Sequence, residues 1–245
     1  MGFFRSILLC GLIAGVVAGF ALTALQSVKV YPLIFAAEEF EGGGHDHGSH
    51  DHGEVKATSE TASKSVTKPA SEPWMPAAGV ERLFYSLLSN ILMGVGLGMV
   101  LAAIFALRDV ESWRQGAIWG LGGFIAVNMA PAFGLPPELP GMPAGELLAR
   151  QTWWLATALL TGAGIALIFL TANLVWRVGG AALIALPHIY GAPHPDTLAS
   201  DVPATLAADF ATASLASNLI FWAILGIIAA EVMSRVGVNR DARPI

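Results

Sequence analysis

Four histidines and two aspartates fall within eight residues of one polar stretch of the chain. They are His45, Asp46, His47, His50, Asp51 and His52. Imidazole nitrogens suit zinc, nickel, copper and cobalt, whereas sites made only of carboxylates suit calcium or magnesium. The tract therefore predicts capture of a divalent transition-metal ion. Because a metal-binding imidazole must be neutral, capture should weaken in mildly acidic medium.

Three further candidate ligands lie outside this tract. His188 and His194 flank Gly191-Ala192-Pro193 at the end of an apolar segment, and Glu138 lies in the proline-rich sequence 134–141. Ionisable side chains are costly inside a bilayer, so the presence of the two histidines indicates a functional lining. Glu138 lies in a stiff connection, where it could coordinate a hard or borderline cation. The alternatives are that both histidines bind loop carbonyls at the membrane surface and that the glutamate is simply solvated.

Two asparagines are candidates for lining a cavity beside these groups. Asn90 and Asn218 occupy matching positions in the similar sequences 86–90 and 214–218. Asparagine in a membrane bundle also commonly forms hydrogen bonds between helices. Both interpretations are therefore open at this stage.

Membrane-spanning helices must position these groups. Hydrophobic residues make up 55% of the 245 positions, charged residues only 13%, and the mean hydropathy is +0.63. A spanning helix needs about 20 mostly apolar residues. The sequence predicts an all-α, polytopic membrane protein with one membrane domain over 1–245. Its six predicted transmembrane helices are 7–25, 84–107, 115–133, 153–173, 178–190 and 210–232. The fifth is short, so a re-entrant or interfacial segment is an alternative to a full crossing.

The charges between these segments predict the topology. Lysine and arginine in short loops are retained on the cytoplasmic side. With six crossings and both termini in the cytoplasm, Arg150 is the only basic residue in the short outer connections. This topology places the flexible histidine-rich loop 42–78 outside the cell. The spans would then pair in chain order into three hairpins that open outward. Gly11, Gly15 and Gly19 repeat at a spacing of four, which predicts close approach of a neighbouring helix.

Several residues have simpler predicted roles at the ends of the spans. Glu146 and Arg150 are four apart and could pair on one helix face, as could Glu231 and Arg235. Adjacent tryptophans at 153 and 154 are typical of a belt that anchors a helix at the membrane surface.

The motifs and charges exclude several functional classes. The chain has no phosphate-binding Gly-x4-Gly-Lys-Ser/Thr motif, no HExxH and no Gly-x-Ser-x-Gly. The formal net charge is −5 and no basic stripe indicates a nucleic-acid partner. We predict a protein that is not an enzyme and holds no tightly bound cofactor. An intramembrane metal enzyme using the two later histidines is a weaker alternative, as is metal export.

Motifs along nearly the whole chain resemble the CbtA family of predicted bacterial cobalt transporter subunits. They are the histidine-rich loop, Gly-Leu-Pro-Pro-Glu-Leu-Pro-Gly at 134–141, Arg-Gln-x-Trp-Trp at 150–154, the segment 186–195 and Ser-Asn-x-x-Phe-Trp ending at Trp222. The resemblance implies cobalt uptake for cobalamin synthesis across the inner membrane. It also implies a small histidine-containing partner subunit, CbtB. Membrane lipid is the other expected partner. The alternatives are a non-transporting metal-binding or assembly subunit, or a nickel or zinc transporter.

Overall fold

The computed structural model describes residues 2–41, 76, 79–110 and 112–236. Among these residues it contains seven helices and no strand, so the predicted all-α class is confirmed. The helices are α1 (Gly2–Lys29), α2 (Tyr31–Glu41), α3 (Val80–Arg108), α4 (Trp113–Phe124), α5 (Leu147–Leu170), α6 (Leu174–Tyr190) and α7 (Ala204–Val236). A π-helical turn, Ile125–Met129, and a short α-helical turn, Ala130–Ala132, continue α4 without a break.

Four helices of the described chain are long and apolar enough to cross a membrane. They are Phe4–Lys29, Val80–Arg108, Leu147–Leu170 and Ala204–Val236. These correspond to the first, second, fourth and sixth predicted spans. The predicted third span is the helix that contains the π-helical turn. The fifth is a shorter apolar helix of 17 residues, which begins four residues before its predicted start because the Asn173 side chain caps Val175 N–H.

Glycine allows two neighbouring helices to approach until their backbones touch. A Cβ atom built on Gly15 of α1 would lie 2.2 Å from the backbone nitrogen of Val95 in α3. On the other helix, a Cβ on Gly94 would lie 2.6 Å from the Gly15 carbonyl oxygen. The close approach predicted from the glycine spacing of α1 is therefore confirmed, and the partner is α3.

The hairpin pairing predicted from chain order is correct at the start of the chain and wrong at its end. The first and second spans, α1 and α3, pack along each other. However, α6 packs on α5, where Gly164 and Gly180 meet, and α7 packs on α1 and α4. The long connection 191–203 lets the chain leave α6 and cross to the other side of the bundle. The predicted hairpin of the fifth and sixth spans is therefore not formed.

The main hydrophobic core belongs to one part of the bundle. Its buried residues come from α1, α3, α4, α7 and the connection at Val110, with Phe105, Phe221 and Leu225 almost completely buried. The described parts of α5 and α6 contribute none of them. These two helices therefore pack at the side of a bundle whose interior is formed by the others.

Helix α2 is an element that the sequence analysis did not predict. It packs on the connections 133–146 and 191–203, where Ala37 packs with Leu139 and Val202 in a small second core. Arg82 at the start of α3 pairs with Glu38 of α2 at 2.6 Å. The chain therefore leaves α1 and stays on the protein surface up to Glu41, four residues before the histidine-rich tract begins.

Candidate functional site

The histidine-rich tract lies outside the described residues. This applies to all six of its candidate ligands: His45, Asp46, His47, His50, Asp51 and His52. The last helical residue before the tract is Glu41 at the end of α2. Metal capture by this tract therefore remains a prediction.

His188 lies between two aromatic rings in the last turn of α6. Its imidazole meets Trp153 of α5 edge-on at a centroid distance of 5.9 Å, and Phe133 in the same manner at 6.3 Å. The side chain is nevertheless exposed. The two rings therefore restrict the orientation of an imidazole that the protein does not enclose.

Trp153 holds the end of α6 in place. Only 6% of this residue is exposed, and its Nε1–H donates to the Pro187 carbonyl oxygen at 3.2 Å. Pro187 lies inside the last turn of α6, and the helix continues past it until Gly191, whose φ is +92°. Trp153 is therefore part of the contact between α5 and α6, and its predicted role as a membrane-surface anchor is wrong.

His188 and His194 line the same cleft, which we call the histidine cleft. It has a volume of about 580 Å³. Its remaining walls come from the π-helical turn, the residues that follow this turn up to Gly134, α5, α6 and the loop after α6. They are Ile125, Met129, Ala130, Phe133, Gly134, Trp153, Thr161, Ile184, Gly191 and Ala192.

Glu138 lies in a different cleft from the two histidines. This second cleft, of about 590 Å³, also contains Asn128, Arg150, Trp154 and Asn218. The Glu138 carboxylate pairs with the Arg150 guanidinium at 2.6 Å, and both side chains are mostly buried. An arginine that already compensates this charge competes with any cation for the carboxylate. The structure therefore brings together the two histidines but separates them from the glutamate.

Glu146 has a different role from the predicted ion pair with Arg150. Its carboxylate caps α5 by accepting hydrogen bonds from the backbone N–H groups of Leu148 and Ala149, at 2.9 and 2.6 Å. These two bonds lower the pKa of the Glu146 carboxyl, since they favour its charged form. Glu146 is the N-cap residue of α5, so its carboxylate is bound to the helix end, and the Arg150 guanidinium pairs with Glu138 instead. The other expected pair, Glu231 with Arg235, is confirmed at 2.9 Å.

The two asparagines separate into different environments. Asn90 donates from Nδ2 to Thr23 Oγ1 at 3.0 Å and to Gln26 Oε1 at 2.7 Å, which ties α3 to α1. Asn218 donates to the Ser214 carbonyl of its own helix and lines the second cleft. Asn90 therefore forms the interhelical hydrogen bonds that were its alternative interpretation, and it lines neither cleft.

The described residues contain no group of three histidine, cysteine, aspartate or glutamate side chains that could hold a metal ion. The histidine cleft can offer imidazole from His188 and His194, with further ligands coming from water or main-chain carbonyls. Such a partly hydrated arrangement suits an ion that binds and leaves. A structural site, by contrast, is normally closed by four protein ligands.

Two features of the site were missed in the sequence: the π-helical turn, and the buried face of α5 from which Trp153 and Thr161 line the histidine cleft. Nothing in the local sequence predicts a π-helical turn at 125–129. Asn128 within this turn accepts a hydrogen bond from Trp222 Nε1 at 2.7 Å, which is the interhelical bond expected of an asparagine in a membrane bundle. Trp153, Thr157 and Thr161 repeat at a spacing of four and are all buried. That spacing places all three on one face of α5 and was a signal that could have been used.

One comparison with known proteins matches nearly the whole chain. The model of the family described as "Probable cobalt transporter subunit (CbtA)" matches residues 4–234. The chain belongs to the CbtA family. No curated protein and no solved structure matches it.

Membership of the CbtA family gives these clefts a functional context. The protein is a transmembrane subunit of a probable cobalt transporter, which implies a function other than catalysis and a cobalt ion as cargo. The word subunit in the family description implies other subunits. For a CbtA protein, histidines that line a cleft in the apolar part of the fold are therefore candidates for contact with the transported ion.

Proposed function

We propose that this chain takes up a divalent transition-metal ion, most readily cobalt for cobalamin synthesis, and that the ion enters through the histidine cleft. The observation that carries the proposal is the placement of His188. Its imidazole is accessible in a cleft of the membrane domain, and the rings of Trp153 and Phe133 limit its orientation. Imidazole suits cobalt(II) and other borderline metal ions.

The proposal includes six crossings of a bacterial inner membrane with both termini in the cytoplasm. The helix 113–132, which includes the π-helical turn, and α6 would add two crossings to the four long apolar helices. At 1.5 Å per residue, a 17-residue helix extends about 25 Å, which is close to a thin hydrocarbon core. The basic residues of the short loops support this orientation.

The histidine-rich tract at 45–52 would collect ions outside the cell and raise their concentration at the cleft. Support comes from α2, which holds the chain on the outer connections until Glu41. Deleting residues 45–52 should lower uptake mainly at low external metal concentration. Uptake that is unchanged at every concentration would reject this role for the tract.

The direct test is uptake of radioactive cobalt by cells that lack other cobalt transporters and express this chain. A small histidine-containing partner of the CbtB type should be tested with it, as the family resemblance suggests. Nickel and zinc serve as competitors. We expect cobalt accumulation that nickel or zinc inhibits less effectively than unlabelled cobalt does. Stronger inhibition by nickel or zinc than by unlabelled cobalt would assign another metal, and equal inhibition would contradict selectivity for cobalt.

A non-transporting metal-binding or assembly subunit is the second candidate function. It is favoured by the lack of a three-ligand group among the described residues and by the pairing of Glu138 with Arg150. Reconstitution of the purified chain in liposomes distinguishes the two functions. Cobalt flux without any partner would exclude a purely accessory role.

A further inference from the structure

Thr161 of α5 is a buried polar group without a protein partner among the described residues. The residue is 0% exposed, and its Oγ1 hydroxyl forms no hydrogen bond. A buried hydroxyl without a partner costs free energy, so most such groups in folded proteins are paired. The position therefore retains a polar group that no other described residue binds.

Thr157, one turn earlier on the same helix, shows the usual arrangement. It is also 0% exposed, but its hydroxyl donates to the Trp153 carbonyl oxygen at 2.8 Å. Threonine hydroxyls in helices commonly form this bond to the fourth preceding residue. Both threonines lie on α5 and are fully buried, yet only the Thr157 hydroxyl forms a hydrogen bond. Burial alone therefore does not explain why the Thr161 hydroxyl has no partner among the described residues.

Thr161 also lies deep in the histidine cleft. It lines the same cleft as His188 and His194, together with Ile184 of α6 and Met129 of the π-helical turn. Trp153, whose ring contacts His188, is eight residues earlier on α5, which corresponds to about 12 Å along the helix. The cleft therefore extends from the histidines near the outer helix ends toward the middle of the apolar bundle.

We propose that the Thr161 hydroxyl is a second contact point for the ion inside the histidine cleft, and that it binds the water shell of a partly hydrated divalent cation. This inference rests on the proposed function. A hydroxyl can donate and accept, so it can replace or bind a coordinated water without adding charge. Along its path the ion would meet the imidazole of His188 first and this uncharged hydroxyl second. The hydroxyl would hold the ion weakly enough for release.

Three variants test this inference: Thr161→Val, Thr161→Ser and Thr157→Val. Each is measured for the initial rate of radioactive cobalt uptake per folded protein and for its thermal unfolding temperature. Valine matches threonine in shape, so T161V removes an unpaired hydroxyl and should keep or raise the unfolding temperature. Losing one hydrogen bond to the cargo should lower uptake by a factor of roughly 2 to 10. T161S should transport like the wild type.

The control T157V should show the opposite pattern, with a lower unfolding temperature and nearly unchanged uptake, because its hydroxyl serves the helix alone. Wild-type uptake by T161V would overturn the inference, as would equal losses in T161V and T161S. A wild-type chain that takes up no metal would remove the proposed function and this inference together. Normal wild-type uptake that T161V leaves unchanged would remove only the inference.

Discussion

The two sides of the molecule differ in how completely they are packed. Of the most apolar 18-residue stretch of each helix, 44% is buried within the protein in α1 and 39% in α7. In α5 the buried share is only 22%. On the first side, the amide of Asn90 is paired with Thr23 and Gln26. The α5 and α6 side contains the histidine cleft and the unpaired hydroxyl of Thr161.

This difference indicates a division of roles within one membrane domain. The bundle of α1, α3, α4 and α7 provides a close-packed support. Helices α5 and α6 form one side of the histidine cleft, and the π-helical turn that follows α4 forms the other. A π-helical turn within an α-helix frequently occurs at functional sites. Here it contributes Asn128 to one cleft and Met129 to the other.

The largest effect is expected where the packed side is disturbed. Gly94→Ala places a methyl group 2.6 Å from the Gly15 carbonyl oxygen, and overpacking of this kind costs about 1–3 kcal/mol. Thermal unfolding in detergent measures this loss of stability. Gly96→Ala, two residues along α3, meets nothing within 4 Å and should be neutral or stabilising by up to about 1 kcal/mol. Equal effects of the two substitutions would show that α1 and α3 do not touch as described.

The ion pair of the second cleft should have the next largest effect. Arg150→Met leaves the mostly buried Glu138 carboxylate without its partner, which should cost about 1–2 kcal/mol of stability, discounted for partial solvent access. The double variant with Glu138→Gln should recover part of the loss. A double variant that is as unstable as the sum of both single variants would mean that the pair contributes no coupling. Thermal unfolding of all four proteins gives the result.

Much of the fold follows from composition and periodicity, while the site depends on contacts between distant residues. Apolar length predicts the four long helices, and glycine spacing predicts the face of α1 that meets α3. Chain order failed for α6, because the glycine contact with α5 determines its partner. Local spacing also suggested Glu146 as the partner of Arg150. The actual partner, Glu138, comes from a loop whose path the sequence does not show.

A smaller effect is expected from the contact between α5 and α6. Trp153→Phe keeps the ring beside His188 but removes the hydrogen bond to the Pro187 carbonyl, a loss of about 1 kcal/mol. Cobalt uptake should also fall, because the end of α6 is held less firmly. Trp154→Phe changes the second cleft instead and is the matched control. If both variants lowered uptake equally, the histidine cleft would have no special role.

The smallest effect concerns the cap of α5. The pKa of Glu146 lies below its ordinary value of 4.5, so the carboxylate cap stabilises the helix fully above that value. This contribution is lost as the pH falls through the lowered pKa of the folded protein. Glu146→Gln should therefore lower the unfolding temperature slightly at neutral pH, and the difference from the wild type should disappear in strong acid. A difference that grows toward acid pH would contradict this cap.

The most direct test of the account is the rate of cobalt uptake in cells expressing His188→Ala, with Gly96→Ala as a folded control on the packed side. We expect the His188 variant to fold normally and to lose cobalt uptake by roughly tenfold or more, as removal of groups that hold a metal commonly does. The control should transport like the wild type. A His188→Ala protein that takes up cobalt at the wild-type rate would contradict entry of the ion through the histidine cleft.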